Sequence, residues 1–380
     1  MSGPLSGVTV IEIAGLGPGP FCGMLLADLG ADVIRVDRKD ASGMFAASAQ
    51  PFDVLARGRR SIALDLKQPG GAEVVLRLVE RADALFEGMR PGVAERLGIG
   101  PADCHDRNPA LVYGRMTGWG QEGPWASMAG HDIDYIALSG MLDAIGPRGG
   151  PPVPPLNLVG DFGGGGLMLA FGLLAGILEA RRGGIGQVVD AAMVDGSATL
   201  GAMIFGLRGV GRWNGPRGTN LLDGGTPFYA VYETSDGGHM AVGALEPQFY
   251  AALLDGLGLP AEDAADQWDT SLWQTTRERF AARFATRTRD EWTEVFAGTD
   301  ACVAPVLGMG EVADHPHMAA RGTIVEVGGI AQPAPAPRFS RTPAGAPEAP
   351  SAPGSATSEL LEWAGFSAEE RTRLEDSGVV

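Results

Sequence analysis

Residues 8–13 (VTVIEI) form a continuous, β-branched apolar run, the pattern of a strand buried on both faces. Gly15-Leu-Gly-Pro-Gly-Pro20 reads as the turn after it, Phe21–Leu29 as a helix and Ala31–Val36 as a second strand, so the chain opens with a βαβ unit. The alternation continues through strand 61–64, helix 70–81, strand 83–86, helix 92–97 and strand 110–115. Alternation of this kind predicts an α/β fold: an open, mostly parallel sheet of Rossmann-like βαβ units covered by helices. Two further helices are expected at about 162–182 and 190–208, the second rich in small residues suited to close packing. Residues 229–243 read as a hairpin about Ser-Asp-Gly-Gly, and helices at 247–257 and 274–298 complete a smaller α+β domain. The Pro/Ala/Ser-rich residues 331–356 predict an extended linker, and a C-terminal helix is expected around 358–376. The domain boundaries that follow are 1–208 for a large α/β domain, 209–228 for a connection and 229–325 for the small domain. Residues 326–380 form a return segment whose helix packs on the large domain.

Composition narrows the partners. A formal net charge of −17 makes the chain a poor general binder of nucleic acid, so an anionic ligand has to be held by a local cluster of cations. The three cysteines, Cys22, Cys104 and Cys302, are scattered, and the five histidines do not combine with them at metal-ligand spacing; no disulfide framework and no metal site are expected. The longest uncharged apolar stretch, Phe162–Leu178, is bracketed by Asp161 and Glu179-Ala-Arg-Arg and reads as a buried helix rather than a membrane span. The N-terminal residues lack a basic flank followed by a long apolar core, and a cytoplasmic, membrane-free protein is expected.

A strand, Gly15-x-Gly17, a helix and then Asp37 resemble a dinucleotide-binding turn, but Pro20 stands where a third glycine would allow close packing. The expectation is a crevice at that fold location holding a different nucleotide. Arg57, Arg59 and Arg60 stand out against the acidic total, and Arg38, Arg90, Arg96 and Arg115 fall near predicted strand ends. In a parallel sheet these ends share one edge, and arginine's planar fork suits phosphate. Taken singly, each arginine reads as well as an ordinary surface charge.

Three acid/base candidates emerge. His131 sits in Gly130-His-Asp132-Ile-Asp-Tyr135, Asp161 in Gly160-Asp-Phe-Gly-Gly, and Glu246 just before Pro247. By spacing alone, Asp161 and Glu246 also read as residues opening helices, and a lone histidine as structural.

The segments GPGPFCGMLLADLGADVIRVDR (17–38), RGRRSIALDLKQPGG (57–71), AGHDIDYIALSG (129–140), PPLNLVGDFGGG (154–165), NLLDGGTPFY (220–229) and AVGALEPQFY (241–250) change those odds. With them the chain resembles the family III CoA transferases (CaiB/BaiF), and within them the racemase branch acting on 2-methylacyl-CoA. The resemblance implies an isomerase of acyl-CoA metabolism that moves the α-proton of the thioester through an enolate. His131 and Asp161 are then the two acid/base residues and Glu246 supports His131. It further implies that Arg38 and the Ala63-Leu64-Asp65-Leu66 backbone hold the adenosine end of CoA. Arg90 and Arg96 supply charge, and Gly130, Asp132 and Tyr135 lie along the thioester. CoA enters as part of the substrate, with no cofactor and no metal. An interlocked homodimer is implied, the long connections at 209–228 and 331–356 fitting it. The alternative within the family is a CoA transferase acting between carboxylates, with Asp161 as nucleophile; His131 and Glu246 argue for the racemase. The backbone N–H groups after Asp161 are a candidate site for the enolate oxygen. The acyl group is left open.

Overall fold

The computed structural model describes residues 2–39 and 53–380. The chain divides into a larger compact unit (1–139, 156–200 and 320–380) and a smaller one (140–155 and 201–319).

The larger unit is built on six parallel strands: β1 (Thr9–Ile13), β2 (Asp32–Arg38), β3 (Arg59–Leu64), β4 (Ala84–Glu87), β5 (Val112–Thr117) and β6 (Val188–Ala192). Their spatial order is β3-β2-β1-β4-β5-β6. All five pairings are parallel. Strand alternation sends Ile11, Ile13, Ile34, Val36, Ile62 and Leu64 to one face, against the helix Gly71–Val79 and the C-terminal Leu360 and Leu361. Val10, Val33, Phe86, Val112 and Met116 go to the other face, against the helices Pro18–Asp28 and Met168–Gly183. Strand order reverses between β1 and β4. Connections leaving their carboxyl ends part in opposite directions there and leave a crevice, the usual ligand position in such sheets.

The first five strands lie where the hydrophobic pattern put them, within one or two residues. The sixth was not expected: residues 190–192 fell inside the predicted helix 190–208, and Val188 and Val189 just before it. Val188 and Val189 are β-branched and pair with β5, and helical structure begins only at Met193, breaking again at Gly201. Other predicted helices are also divided. Thr288 caps the helix Arg289–Phe296 by accepting from the Glu291 N–H, which ends the helix Trp273–Phe284 earlier than expected. Gly365, at φ +83°, separates Thr357–Trp363 from Ala368–Asp376.

The expected linker at 331–356 is tied down. Residues Ile330–Pro333 pair with Ile324–Val327 as a hairpin. Ser351 Oγ donates to the Arg59 carbonyl (2.8 Å), and the Gly354 N–H donates to Ser61 Oγ (2.8 Å). Proline removes donors while leaving carbonyls, so this segment runs along the outer edge of β3 without extending the sheet, and so covers an open edge.

In the smaller unit, strands Tyr229–Glu233 and His239–Gly243 form an antiparallel hairpin joined by Val303–Pro305. Phe228, Tyr232, Tyr250, Phe280, Phe284 and Trp292 pack beneath it. Residues 140–155, expected in the large domain, cluster here because Arg217 donates to the Asp143 carboxylate (2.8 Å) and to the Gly150 carbonyl (3.3 Å).

Three of the conspicuous arginines are structural. Arg57 is buried on Asp28 (2.5 Å) and on Gln332 (2.7 Å). Arg59 is buried on Glu12 (2.7 Å) and also donates to the Pro20 and Leu55 carbonyls. Arg60 pairs with Asp32 and Glu359. These three flank the start of β3, the end of the sheet remote from the crevice, so the expectation that they serve the ligand is replaced by a role in joining strands to helices. Burial raises the Glu12 carboxyl above its ordinary value while Arg59 opposes the rise. A charge left in that site alone has no water to turn to. Glu12→Leu is therefore expected to lower unfolding free energy by about 3–5 kcal/mol, read from the urea midpoint at unchanged m. The double variant with Arg59→Leu should lose less than the single one.

Candidate active site

The carboxyl ends of β1 and β4 carry the loops that form the crevice floor. After Ile13 the chain turns at Gly17, whose φ of +66° favours glycine. A Cβ at Gly17 would stand 3.0 Å from Oδ2 of Asp161, so the absent side chain also makes room for that carboxyl.

Asp161 lies in a wide, π-type helical segment, Leu158–Leu167, that leads into the helix Met168–Gly183. Such turns are uncommon and frequent at functional sites. The glycines explain the placement. A Cβ at Gly165 would come within 3.0 Å of Pro18 Cβ and 2.9 Å of Met193 Cγ, and one at Gly196 would overlap the Gly164 carbonyl. Only hydrogens in these places let the segment lie between the helices Pro18–Asp28 and Met193–Leu200.

Two neighbours orient Asp161. Asn157 Nδ2 donates to its Oδ2 (3.1 Å), and its own N–H donates to Asp132 Oδ2 (2.6 Å). Burial holds the Asp161 carboxyl above its ordinary value, and the negative Asp132 adds to this. The Asn157 hydrogen bond and the charge of His131 pull it down. The Asp161 N–H is thus engaged by Asp132, and of the N–H groups after it, the candidate site for an enolate oxygen, that of Phe162 donates to the Asn157 carbonyl (3.3 Å).

His131 precedes the helix Asp132–Leu138 in extended conformation, and its N–H donates to Asp134 Oδ2 (2.9 Å). Its imidazole is left exposed beside the cavity, while Asp132 is buried behind it. The Tyr135 hydroxyl donates to the Gly130 carbonyl, and its ring meets Trp119 edge-on at 4.8 Å. Burial pushes the Tyr135 phenol up to about 12, so it is a protonated donor at neutral pH.

His131, Asp161, Gly130 and Tyr135 all line a cavity of about 450 Å³, with Trp119 and the methionines Met89, Met116, Met128 and Met193. A second cavity of about 610 Å³ is lined by Arg38, Lys39, Lys67 and Arg90 together with Leu64, Asp65 and Leu66. The two share Ile13, Gly15, Gly88, Met89 and Arg90, so they form one crevice across the strand-order reversal. One end is lined by Arg38, Lys39, Lys67 and Arg90, and the other by the methionines and Trp119 together with His131, Asp161 and Tyr135. Asp37, the acidic residue of the dinucleotide-like turn, accepts from Arg35 (2.8 Å) and Ser61 (2.5 Å). Its carboxylate is occupied, which weakens a ribose-binding role.

Not every expected residue faces the crevice. Ala63, Arg96 and Arg115 line neither cavity; the Ala63 N–H donates to Thr357 Oγ1 (3.3 Å), and Arg115 pairs with Glu95. Asp132 acts from behind, through the Asp161 backbone. Glu246 belongs to the smaller unit, where it immediately precedes the helix Pro247–Leu257. The buried Gln267 donates to the carbonyls of Ala244 (3.1 Å) and Leu245 (2.9 Å), fixing the backbone that leads to Glu246. Sequence reading missed Lys39, Lys67 and Asn157. The spacing of Asn157 and Asp161, four residues apart on a helical segment, was the available signal for the last.

The sequence profile of CoA-transferase family III matches residues 5–356. The chain is 48% identical over 379 residues to alpha-methylacyl-CoA racemase of Mus musculus, covering 99% of this chain and 97% of that protein. It is 46% identical over 381 residues to the Homo sapiens protein of the same name, again covering 99% and 97%. A crystal structure from Mycobacterium tuberculosis superposes with TM-score 0.77 at 28% identity, over 95% of this chain and 99% of that one. A CAIB/BAIF family protein from Brucella suis, 24% identical over 96% and 100%, shares the fold at TM-score 0.78. With the profile spanning nearly the whole sequence and two relatives almost half identical to it, the chain belongs to CoA-transferase family III.

Proposed function

We propose that the protein racemises 2-methylacyl-CoA thioesters by 1,1-proton transfer. The observation that carries this reading is that His131 and a half-buried Asp161 line one cavity that opens into another lined by Arg38, Lys39, Lys67 and Arg90. The identity to the two racemases supports it.

A thioester α-proton is weakly acidic, so its removal needs a positioned base, and inversion needs a proton donor on the opposite face. In this reading His131 and Asp161 are that pair. For one enantiomer the carboxylate takes the proton and the imidazolium returns one; for the other the roles reverse. The net proton count is the same in both directions. The two groups exchange roles cheaply only if their affinities for a proton are close, and burial moves Asp161 toward histidine. In the homodimer that this reading includes, Glu246 of one copy would accept from the second imidazole nitrogen of the other copy's His131, keeping the first free for the substrate. Arg38, Lys39, Lys67 and Arg90 bind the phosphates of CoA, and the methionines and Trp119 surround the acyl group. CoA is part of the substrate, and no further cofactor is assigned.

The reading includes a homodimer. On the larger unit Phe171 is 71% exposed and Ile185 72%, and Leu178 is also exposed; on the smaller unit Val210, Met203 and Phe205 are exposed. A second copy of the chain would cover such apolar residues. The segment Leu158–Gly183 is long and apolar enough by length and composition to cross a membrane. It also packs on the sheet, with Leu169 and Leu173 against Gly114. We read its outer residues as dimer contacts in a cytoplasmic protein.

Deuterium exchange tests the function. One enantiomer of a 2-methylacyl-CoA in D2O, with no added carboxylate, should gain α-deuterium and lose optical purity. His131→Ala and Asp161→Asn should each slow racemisation by about 10²–10⁴-fold. CoA transfer to an added carboxylate, without exchange in its absence, would instead make Asp161 a nucleophile. The pH profile tests the electrostatics. For the enantiomer whose proton the carboxylate takes, Asp161 is needed ionised alongside a protonated His131, so the acid limb of kcat/KM should lie above the usual carboxylate value of about 4. Asn157→Ala removes a hydrogen bond that favours the carboxylate and should move that limb to higher pH; a limb that stays or falls would contradict the assignment. Finally, Phe171→Lys should shift the protein to monomer in analytical ultracentrifugation.

A further inference from the structure

The two cavities meet at the loop Gly88-Met89-Arg90, which lines both. Any ligand with its phosphates at Arg38 and its reacting carbon near Asp161 has to pass over that loop, so the loop's shape limits what the crevice admits. What holds the loop is the last residue of β4. Glu87 is 3% exposed and lines neither cavity, and its Oε2 accepts the Met89 N–H at 2.6 Å. We propose that Glu87 is a positioning residue for coenzyme A: from behind the crevice, its carboxyl fixes the Gly88–Arg90 loop in the form over which the CoA arm lies. This inference rests on the reading of the crevice as a CoA site.

The surroundings of Glu87 suit that task. Its partner in the sheet register is Arg115 on β5. Arg115 is drawn off by Glu95, on the helix Val93–Arg96, and by Gln121. Tyr113 on β5 donates its hydroxyl to the Ile99 carbonyl (3.0 Å). The carboxyl thus has Arg115, Glu95 and Tyr113 as charged or titratable neighbours, and no ion pair within 4.0 Å is formed with Arg115. Burial pushes Glu87 up to about 7, against the Met89 N–H and Arg115, which favour the carboxylate. A carboxylate is a stronger acceptor than the neutral acid, so the grip on Met89 strengthens as pH rises through neutrality.

The test is isothermal titration calorimetry of free coenzyme A with the full chain at about pH 6 and about pH 8. Glu87→Leu leaves the Met89 N–H without its partner and should weaken CoA binding about tenfold at both values. Glu87→Gln keeps an acceptor oxygen but cannot ionise. It should bind like the parent protein at the lower pH and lack the extra tightening that the parent gains at the higher one. Equal affinity of Glu87→Leu and the parent, or a Glu87→Gln curve that follows the parent across the range, overturns the proposal. If Glu87→Leu does not fold, as judged by circular dichroism, the glutamine comparison decides. A parent protein that does not bind coenzyme A overturns the reading of the crevice and this inference with it. A parent that binds, beside variants that bind identically, removes only the role of Glu87.

Discussion

The site depends on one steric constraint: the absence of side chains along Gly163–Gly166 and at Gly196. The segment Leu158–Leu167 has to lie between two helices at distances that a single methyl group would violate. Because it does, Asp161 reaches the turn at Gly17, its N–H reaches Asp132, and the adjacent His131 comes to the same cavity. Glycine costs backbone entropy in a helix, and a wide helical segment is unfavourable in itself. Packing on both sides offsets that cost, as expected where local strain serves a site.

Electrostatic roles are divided by position in the sheet. Toward the start of β3, Arg57 and Arg59 are buried on carboxylates and backbone carbonyls and act as ties between strands and helices. At the carboxyl edge, Arg38, Lys67 and Arg90 line an open cavity, as does Lys39, whose ammonium also donates to the Gly378 and Val380 carbonyls. A chain with net charge −17 repels polyanions at long range, yet these cations line one cavity of about 610 Å³. The same division runs through the carboxylates. Asp37 and Asp28 are spent on arginines, whereas Asp161 has a neutral amide as its donor and keeps a proton affinity above that of an ordinary aspartate.

Burial raises carboxyl pKa at three points, two in the sheet and one in the helical segment Leu158–Leu167, with different consequences. Glu12 is paired with Arg59 inside the sheet and serves stability. Asp161 borders the end of the crevice that His131 lines, and Glu87 lies behind the loop that joins its two ends. Desolvation is common to all three; the partner and its distance from the crevice decide what each does.

Much of this was legible in the sequence. The β-branched runs at 8–13 and 31–36, with helices between strands, determined a parallel α/β sheet, because period and turn residues are local properties. The motif residues His131, Asp161 and Arg38 were identified by resemblance, and the resemblance named the family. Tertiary structure decided what local pattern leaves open. Val188 and Val189 became a strand because β5 offered a free edge, and 331–356 became a cover for β3 because Ser61 and Arg59 hold it. Arg57, Arg59 and Arg60 read like a phosphate cluster, and only their buried carboxylate partners show otherwise, since Asp28 and Glu12 lie 29 and 47 residues away in the chain. Asn157, Lys39 and Lys67 joined the site through packing that brings distant segments to one edge. A side chain's type is written in the sequence, but its partners and its exposure to water are set by contacts between residues far apart along the chain.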